Sequence, residues 1–446
     1  MSSTHLPEPK DSPRGEGSPA RSSSDETVVE EAKEQGEAKE KSNVHNTDAV
    51  PNGGLNAWLQ VAGSFFLAFN TWGIINTYGA YQTYYESGDL FTKSSSDLSW
   101  IGSIQAFLLL LVGALTGPIY DAGYFRALII IGSFAIVFGH MMLSLVHEFW
   151  QALLAQAFVV GLGAGSLFIP SVAILPTYFT TKIPIAIGIA ASGSSVGGII
   201  YPIVFERLQD EIGFPWATRV LSFLMLATLM VPIAFMRPRV LPPAKRKLFE
   251  FSAFRNPAYV LFVIGVTVGF MGLYVPFFYI QYYADVRHMT SGNLSSYLLA
   301  ILNAGSVFGR IAPNFFAQKI GPINMLIPCV VLTSILTFTL IRVHNEGGII
   351  TFSLIYGFFS GTFVSLPPTV FVFLSLDNRA LIGTRMGMGF AIASCGALAG
   401  TPIAGAILNN HGFNATWCFS GGLVIGAAAL MTAARFFKDK TLMAKV

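Results

Sequence analysis

Arg310 carries the strongest chemical signal in the 446-residue sequence. It lies well inside a long apolar run, and no other Lys, Arg, Asp or Glu lies comparably deep in such a run. If the run crosses a membrane, an unpaired charge there costs at least ~2.5 kcal/mol, so Arg310 needs a partner or a wet cavity. A planar guanidinium binds a carboxylate through two parallel hydrogen bonds, so we expect Arg310 to bind an organic anion. The alternative is a structural arginine that reaches helix-end carbonyl groups or Asp121.

Two polar residues precede Arg310 at helical spacing. Asn303 and Ser306 lie seven and four positions before it, which places all three side chains on one helix face. One interpretation is a polar stripe that continues the anion site. The other is that both side chains simply hydrogen-bond neighbouring helices together, as Asn and Ser often do in membranes.

Two further apolar runs supply residues that could complete such a site. Asn76 lies in the first run, and Tyr274, Phe278 and Gln281 follow one another at helical spacing in the seventh. Aromatic rings can enclose an organic body while amides fix its orientation. We therefore predict that these four side chains face Arg310.

The stretch "GPIYDAGYFR" contains charges between the second and third apolar runs. Asp121 and Arg126 are expected at neighbouring helix ends, where a charge network can lock one conformation of a transporter. The alternative is that they only mark the side of the membrane. His140 is the deep histidine of the third run, and we interpret it as structural rather than as a proton relay.

Other kinds of chemistry have no support in the sequence. Cys329, Cys395 and Cys418 lie in apolar runs without metal-ligand spacing, and no phosphate-binding Walker pattern follows a strand. No nucleophile, base and oxyanion-binding group occur together. The sequence predicts no enzymatic activity, no metal or other cofactor and no nucleic-acid partner.

The composition is that of a protein embedded in a lipid bilayer. Hydrophobic residues make up 53% of the chain and charged residues 11%, against about 25% charged in soluble domains. Of the 24 acidic residues, 11 lie in the first 56 positions, and residues 1–50 are predicted to form a disordered acidic tail. Twelve apolar segments follow, each long enough for the roughly 20 residues that a helix needs to cross a membrane. We predict an all-α polytopic membrane protein.

The positive charges predict its orientation. With the tail inside, fifteen Lys and Arg residues fall on the inner side and five on the outer side. Because positive charge accumulates in cytoplasmic loops, both termini are predicted to be cytoplasmic. The sequons at Asn293 and Asn414 then fall outside and are possible glycosylation sites.

An internal repeat divides the chain. "YQTYYE" ends the first apolar segment and "YIQYYA" ends the seventh, 198 positions later. Pro202-Ile203 and Pro402-Ile403 repeat at an offset of 200. We predict a six-helix half over residues 51–236, a basic cytoplasmic linker over 237–256 and a second half over 257–446. Two parallel six-helix repeats are the architecture of the major facilitator superfamily.

Several stretches carry a closer resemblance. "PNGGLNAWLQVAGSFF", "GPIYDAGYFR" and "FGRIAPNFFAQKIGPIN" resemble the fungal monocarboxylate-transporter-like branch of that superfamily. The resemblance implies a secondary transporter of a small organic anion, in import or efflux, with Arg310 in the place of the anion-binding arginine. We expect a monomer in the plasma membrane, with the vacuolar or another internal membrane as the alternative.

Two of the sequence's departures from the family bear on the substrate. Asn76 and Ser306 stand where the animal lactate carriers of the family have a lysine and an aspartate, so proton-coupled lactate transport is not expected. Two alternatives stay open. One is a transporter of a neutral or amphiphilic metabolite in which Arg310 is structural, and the other is a nutrient sensor that does not transport.

Overall fold

The computed structural model describes residues 50–239, 248–291, 294–377 and 381–441. Within these ranges all regular secondary structure is helical. The helices, numbered in chain order, are α1 Leu55–Glu86, α2 Ser95–Asp121, α3 Phe125–Leu143, α4 Phe149–Thr177, α5 183–212, α6 214–235, α7 Pro257–Val286, α8 Leu294–Ile320, α9 Pro322–Thr339, α10 Glu346–Leu374, α11 382–411 and α12 413–438. Of the predicted tail and linker, residues 1–49 and 240–247 lie outside the described ranges.

Two glycines divide helices that would otherwise be far too long for one crossing. Ten helices of the described chain are long and apolar enough to span a membrane, and two of them have 51 and 57 residues. Gly213 (φ 76°) and Gly412 (φ 75°) interrupt these two in a backbone conformation that glycine adopts readily. Each therefore contains two spans, and the twelve predicted spans are present.

The repeat is visible in the packing of the helices. Gly193 and Gly197 of α5 lie against backbone carbonyls of α1, and Gly396 and Gly400 of α11 lie in the same way against α7. A Cβ atom added to any of these glycines would come within 2.0 to 2.5 Å of a carbonyl oxygen. Small residues four positions apart thus let helix backbones touch.

The helix that carries Arg310 is held by a similar contact. Gly305 and Gly309 of α8 lie against the backbone of α10, and Gly357 and Gly361 of α10 lie against that of α8. Cβ atoms added to Gly309 or Gly357 would lie 1.8 Å from a carbonyl oxygen of the other helix. The two backbones are therefore in direct contact, which fixes the depth and rotation of α8 beside Arg310.

Candidate functional site

Arg310 is buried between the two halves of the bundle, with a relative exposure of 3%. Its Nε atom donates a hydrogen bond to Ser306 Oγ at 3.1 Å, and Ser306 Oγ accepts another from Ser195 on α5 at 3.1 Å. Among the described residues, no carboxylate pairs with Arg310 and the other guanidinium nitrogens have no hydrogen-bond partner. Neither Asp121 nor a helix-end carbonyl takes that place in the described chain. The unmatched cation can bind an anion.

Two asparagines join the same polar stripe. Asn76 Nδ2 on α1 donates to Asn303 Oδ1 on α8 at 3.1 Å, and Asn303 Nδ2 donates to the Leu299 carbonyl of its own helix at 2.9 Å. Asn76 Oδ1 is buried and has no partner within the described ranges. Gly198 on α5 makes this possible, since a Cβ atom there would lie 2.4 Å from Asn303 Oδ1. The structure thus brings Asn76, Asn303, Ser306 and Arg310 together.

Aromatic rings form one side of the site. The Tyr274 ring on α7 is nearly parallel to those of Trp72, at 6.3 Å and 13°, and Phe270, at 6.1 Å and 7°. Phe278 lies edge-on to Tyr274 at 6.3 Å and packs against Tyr78 of α1 at 4.7 Å. The Tyr274 hydroxyl is buried without a partner in the described chain, and Arg310 is near enough to act on it electrostatically.

Trp72, which sequence analysis missed, reaches this position because α1 is broken just before it. Thr71 has a non-helical backbone (φ −106°, ψ −82°), and its hydroxyl donates to the Leu67 carbonyl at 2.9 Å. A threonine that bonds back to its own helix often marks a bend. The bend changes the direction of the helix at Trp72. The sequence "NTWG" indicates such a bend only weakly.

The structure places Gln281 elsewhere. Its Nε2 atom donates to Glu206 Oε1 of α5 at 2.6 Å. Glu206 lies eleven residues beyond Ser195 on that helix. A rise of 1.5 Å per residue puts this pair about 16 Å from the level of Ser195. Gln281 therefore belongs to a different set of contacts from Arg310. Glu206 was missed because it follows the apolar core of its segment and reads as a helix-end charge.

This second set closes one end of the bundle, which we call the distal end, where α1 ends and α2 begins. Ser96 donates to the Pro402 carbonyl at 2.9 Å, Ser103 bonds Thr401 at 2.5 Å, and Ser99 bonds Tyr279. Together with Glu206 and Gln281, these contacts join α2 and α5 of the first half to α7 and α11 of the second. We call them the distal gate.

Asp121 and Arg126 lie at neighbouring ends of α2 and α3, and Arg126 makes no ion pair within the described ranges. Arg126 is exposed and donates to the Ile233 carbonyl of α6 at 3.4 Å, while Asp121 is buried at the end of α2. At the opposite end from the distal gate, Arg385 of α11 instead pairs with Glu250 at 2.8 Å and Asp377 at 2.9 Å. The hydrogen bond from Arg385 holds the pKa of Glu250 below its ordinary value.

The remaining predicted residues lie away from the site. His140 is buried in α3, where Nδ1 contacts the Ile136 carbonyl of its own helix at 3.1 Å. Asn414 is exposed in the first turn of α12, and Asn293 lies outside the described residues.

Comparison with known proteins decides the family. The sequence model of the Major Facilitator Superfamily matches residues 61–382. This chain belongs to the major facilitator superfamily. It is 51% identical over 384 residues to the MFS-type transporter dbaD of Emericella nidulans, covering 86% of each chain. It is 36% identical over 408 residues to the aspyridones efflux protein apdF of the same organism, covering 89% of this chain and 83% of the relative.

The fold agrees with a solved transporter structure. The crystal structure of a mutant of the nucleoside transporter NupG superposes with a TM-score of 0.64 at 14% identity, over 85% of this chain and 99% of that one. The predicted major facilitator fold is confirmed. Membership in this superfamily makes the chain a multi-pass membrane transporter and not an enzyme.

Proposed function

We propose that this major facilitator transporter exports a small organic anion with an apolar or aromatic body by alternating access. In this proposal the chain acts as a monomer, as in the monocarboxylate-transporter-like branch, with both termini cytoplasmic in the plasma membrane. The observation that carries the proposal is the buried Arg310 between the two halves, which has no carboxylate partner in the described part of the chain.

The physical argument begins with the cost of burying Arg310. Removing a guanidinium from water is expensive unless a counter-charge or several hydrogen bonds replace the lost hydration. Ser306 supplies one hydrogen bond. A substrate carboxylate or other delocalised oxyanion would supply the charge and two parallel acceptors. Binding such a ligand is therefore worth more to this site than binding a neutral molecule of the same size.

The aromatic side of the site indicates the rest of the substrate. Trp72, Phe270 and Tyr274 present near-parallel rings, and the Tyr274 hydroxyl is available to the ligand. Rings of this kind bury a flat apolar body well and add a directional contact at little entropic cost. The arrangement suits a substrate with an anionic group at one end and an aromatic or unsaturated body at the other.

The distal gate supports the proposal of alternating access. The binding residues come from α1 and α5 on one half and from α7 and α8 on the other, so the two halves enclose the site between them. Release toward the distal end requires the distal gate to open while contacts at the other end form. The name of the relative apdF, an efflux protein, supports export as the direction.

A ligand-binding test with purified full-length protein decides whether Arg310 binds anions. Thermal unfolding is followed with added salicylate, benzoate and lactate, and with benzyl alcohol as the neutral probe. A ligand at ten times its Kd stabilises the folded state by about 1.4 kcal/mol. We expect aromatic carboxylates to raise the Tm of the wild type, Arg310→Lys to weaken this rise, and Arg310→Ala to abolish it.

Arg219→Ala is the matched control, because Arg219 also donates to a serine hydroxyl, Ser144 Oγ at 3.0 Å, but lies away from the site. This variant should keep the stabilisation by anions. If Arg310→Ala binds the carboxylates as well as the wild type does, or if benzyl alcohol stabilises equally, the chain transports neutral metabolites and Arg310 is structural.

A further inference from the structure

A carboxylate bridges the two halves of the bundle at the distal end. Glu206 on α5 is half-buried, and its Oε1 atom accepts a hydrogen bond from Gln281 Nε2 on α7 at 2.6 Å. Its Oε2 atom accepts a second hydrogen bond from Ser296 Oγ on α8 at 3.4 Å. Both partners belong to the second half, so opening the distal gate must break both hydrogen bonds.

No neighbouring positive charge in the described chain neutralises the carboxylate of Glu206. No cation forms an ion pair with Glu206 among the residues that the structure describes. Asp285 on α7 and Asp210, one turn along α5, both act on it with like charge. The nearest cation in sequence, Arg207, lies over the ring of Tyr297 on α8 at 5.5 Å.

The other elements packed here add little positive charge. His288, beyond the end of α7, acts on Asp285, Arg287 caps the end of α7, and α8 contributes the Ser296 hydroxyl. An ionised Glu206 in the closed gate therefore meets two acidic neighbours in a partly desolvated position. Both effects favour the neutral carboxylic acid.

Gln281 can pair with either form of the acid. It is 2% exposed, and its Oε1 atom is buried without a partner in the described chain. An amide offers a donor to a carboxylate and an acceptor to a carboxylic acid. A protonated Glu206 can therefore donate its proton to an acceptor that is otherwise unsatisfied.

We propose that Glu206 is a proton-binding site that controls the distal gate. Glu206 binds a proton when the gate closes, and the neutral acid donates a hydrogen bond to Gln281. When the gate opens, Glu206 meets water on the distal side and loses the proton to it. The one bond that forms and breaks is the O–H bond of the carboxylic acid, and the proton passes to or from water.

The linkage has a definite sign. Because the closed gate binds one more proton than the open gate, acid favours closure and a rise in pH favours opening. A single proton changes the ratio of closed to open molecules by at most about tenfold per pH unit. The coupling concerns the gate and does not depend on which substrate the central site binds.

The experiment measures the distance across the distal end as a function of pH. The full-length chain, with its three native cysteines replaced, carries spin labels on cysteines at Thr92 and Asn410, which are exposed on opposite halves. Distance distributions are recorded between pH 4.5 and 8.5. We expect the long-distance population to grow with pH in the wild type and to stay small at every pH in Glu206→Gln.

Two further variants complete the test. Asp210→Asn removes an acidic neighbour on the same helix and should keep the pH response, because Asp210 does not bridge the halves. Glu206→Asp keeps a titratable group on a shorter side chain and should respond to pH with a displaced midpoint. If Glu206→Gln fails to fold, Glu206→Asp provides the test instead. A wild type without a pH response, or a response retained in full by Glu206→Gln, overturns the proposal.

Discussion

The contact between α8 and α10 makes a quantitative prediction for Gly309→Ala. An added Cβ atom would lie 1.8 Å from the Phe358 carbonyl oxygen, whereas ordinary contacts of a Cβ atom begin at 3.4 Å. The two helix backbones must therefore move apart by about 1.6 Å, because a carbonyl oxygen within a helix cannot rotate away. The substitution also displaces residue 309, which precedes Arg310 in the chain.

The expected loss of stability has two parts. Overpacking of a tight contact costs about 1–3 kcal/mol. Separating the helices also breaks the hydrogen bond from Thr362 Oγ1 to the Gly309 carbonyl, which is 2.9 Å long in the structure and worth about 1 kcal/mol. The sum is about 2–4 kcal/mol. Helix propensity offsets up to about 1 kcal/mol of it, and the remaining lower limit of about 1 kcal/mol changes the folding equilibrium constant by about fivefold.

The assay is equilibrium unfolding of the purified protein in mixed micelles of increasing SDS fraction. Gly422→Ala on α12 is the matched control, because a Cβ atom added there meets nothing within 4 Å. This control should be neutral or gain up to about 1 kcal/mol from helix propensity. If Gly309→Ala unfolds at the same SDS fraction as the wild type or the control, the backbone contact does not stabilise the fold as argued.

Three other predictions test separate contacts. Tyr274→Phe should not destabilise the protein and should gain up to about 1–3 kcal/mol, because it removes a buried hydroxyl that lacks a partner in the described chain. It should nevertheless weaken the Tm rise caused by salicylate. Asn76→Ala and Asn303→Ala should show a coupling of about 0.5–1.5 kcal/mol in a double-mutant unfolding cycle, and additive effects would contradict their hydrogen bond. Arg385 lowers the pKa of Glu250, so their contact should stabilise the protein above the ordinary pKa of Glu250. This stabilisation should weaken as pH falls through the lowered pKa. Glu250→Gln should remove this acid dependence, as measured by hydrogen exchange.

The sequence alone determines the number of membrane crossings and the order of the halves. A bilayer leaves no water for unpaired backbone groups, so each apolar run of about 20 residues must be a helix. The tyrosine and proline repeats at a near-constant offset reveal the duplication. Gly213 and Gly412, which end α5 and α11, are 199 positions apart and follow the same offset.

The sequence also indicates the centre of the site. Arg310 is informative because a charge inside an apolar helix is costly, and Asn303 and Ser306 share its face through the helical period. In the structure Asn76 donates to Asn303 of this stripe. The sequence can indicate the stripe because depth and periodicity are local properties of a helix.

The tertiary structure alone decides which helices exchange hydrogen bonds. Glu206 and Gln281 are 75 residues apart and each reads as an ordinary polar residue near a helix end. Arg126 is close in sequence to Asp121, yet it donates to the Ile233 carbonyl of α6. Partners across helices depend on the rotation of each helix and on how closely glycines let two backbones approach. Those quantities arise from the packing of the whole bundle, so no single segment of the sequence contains them.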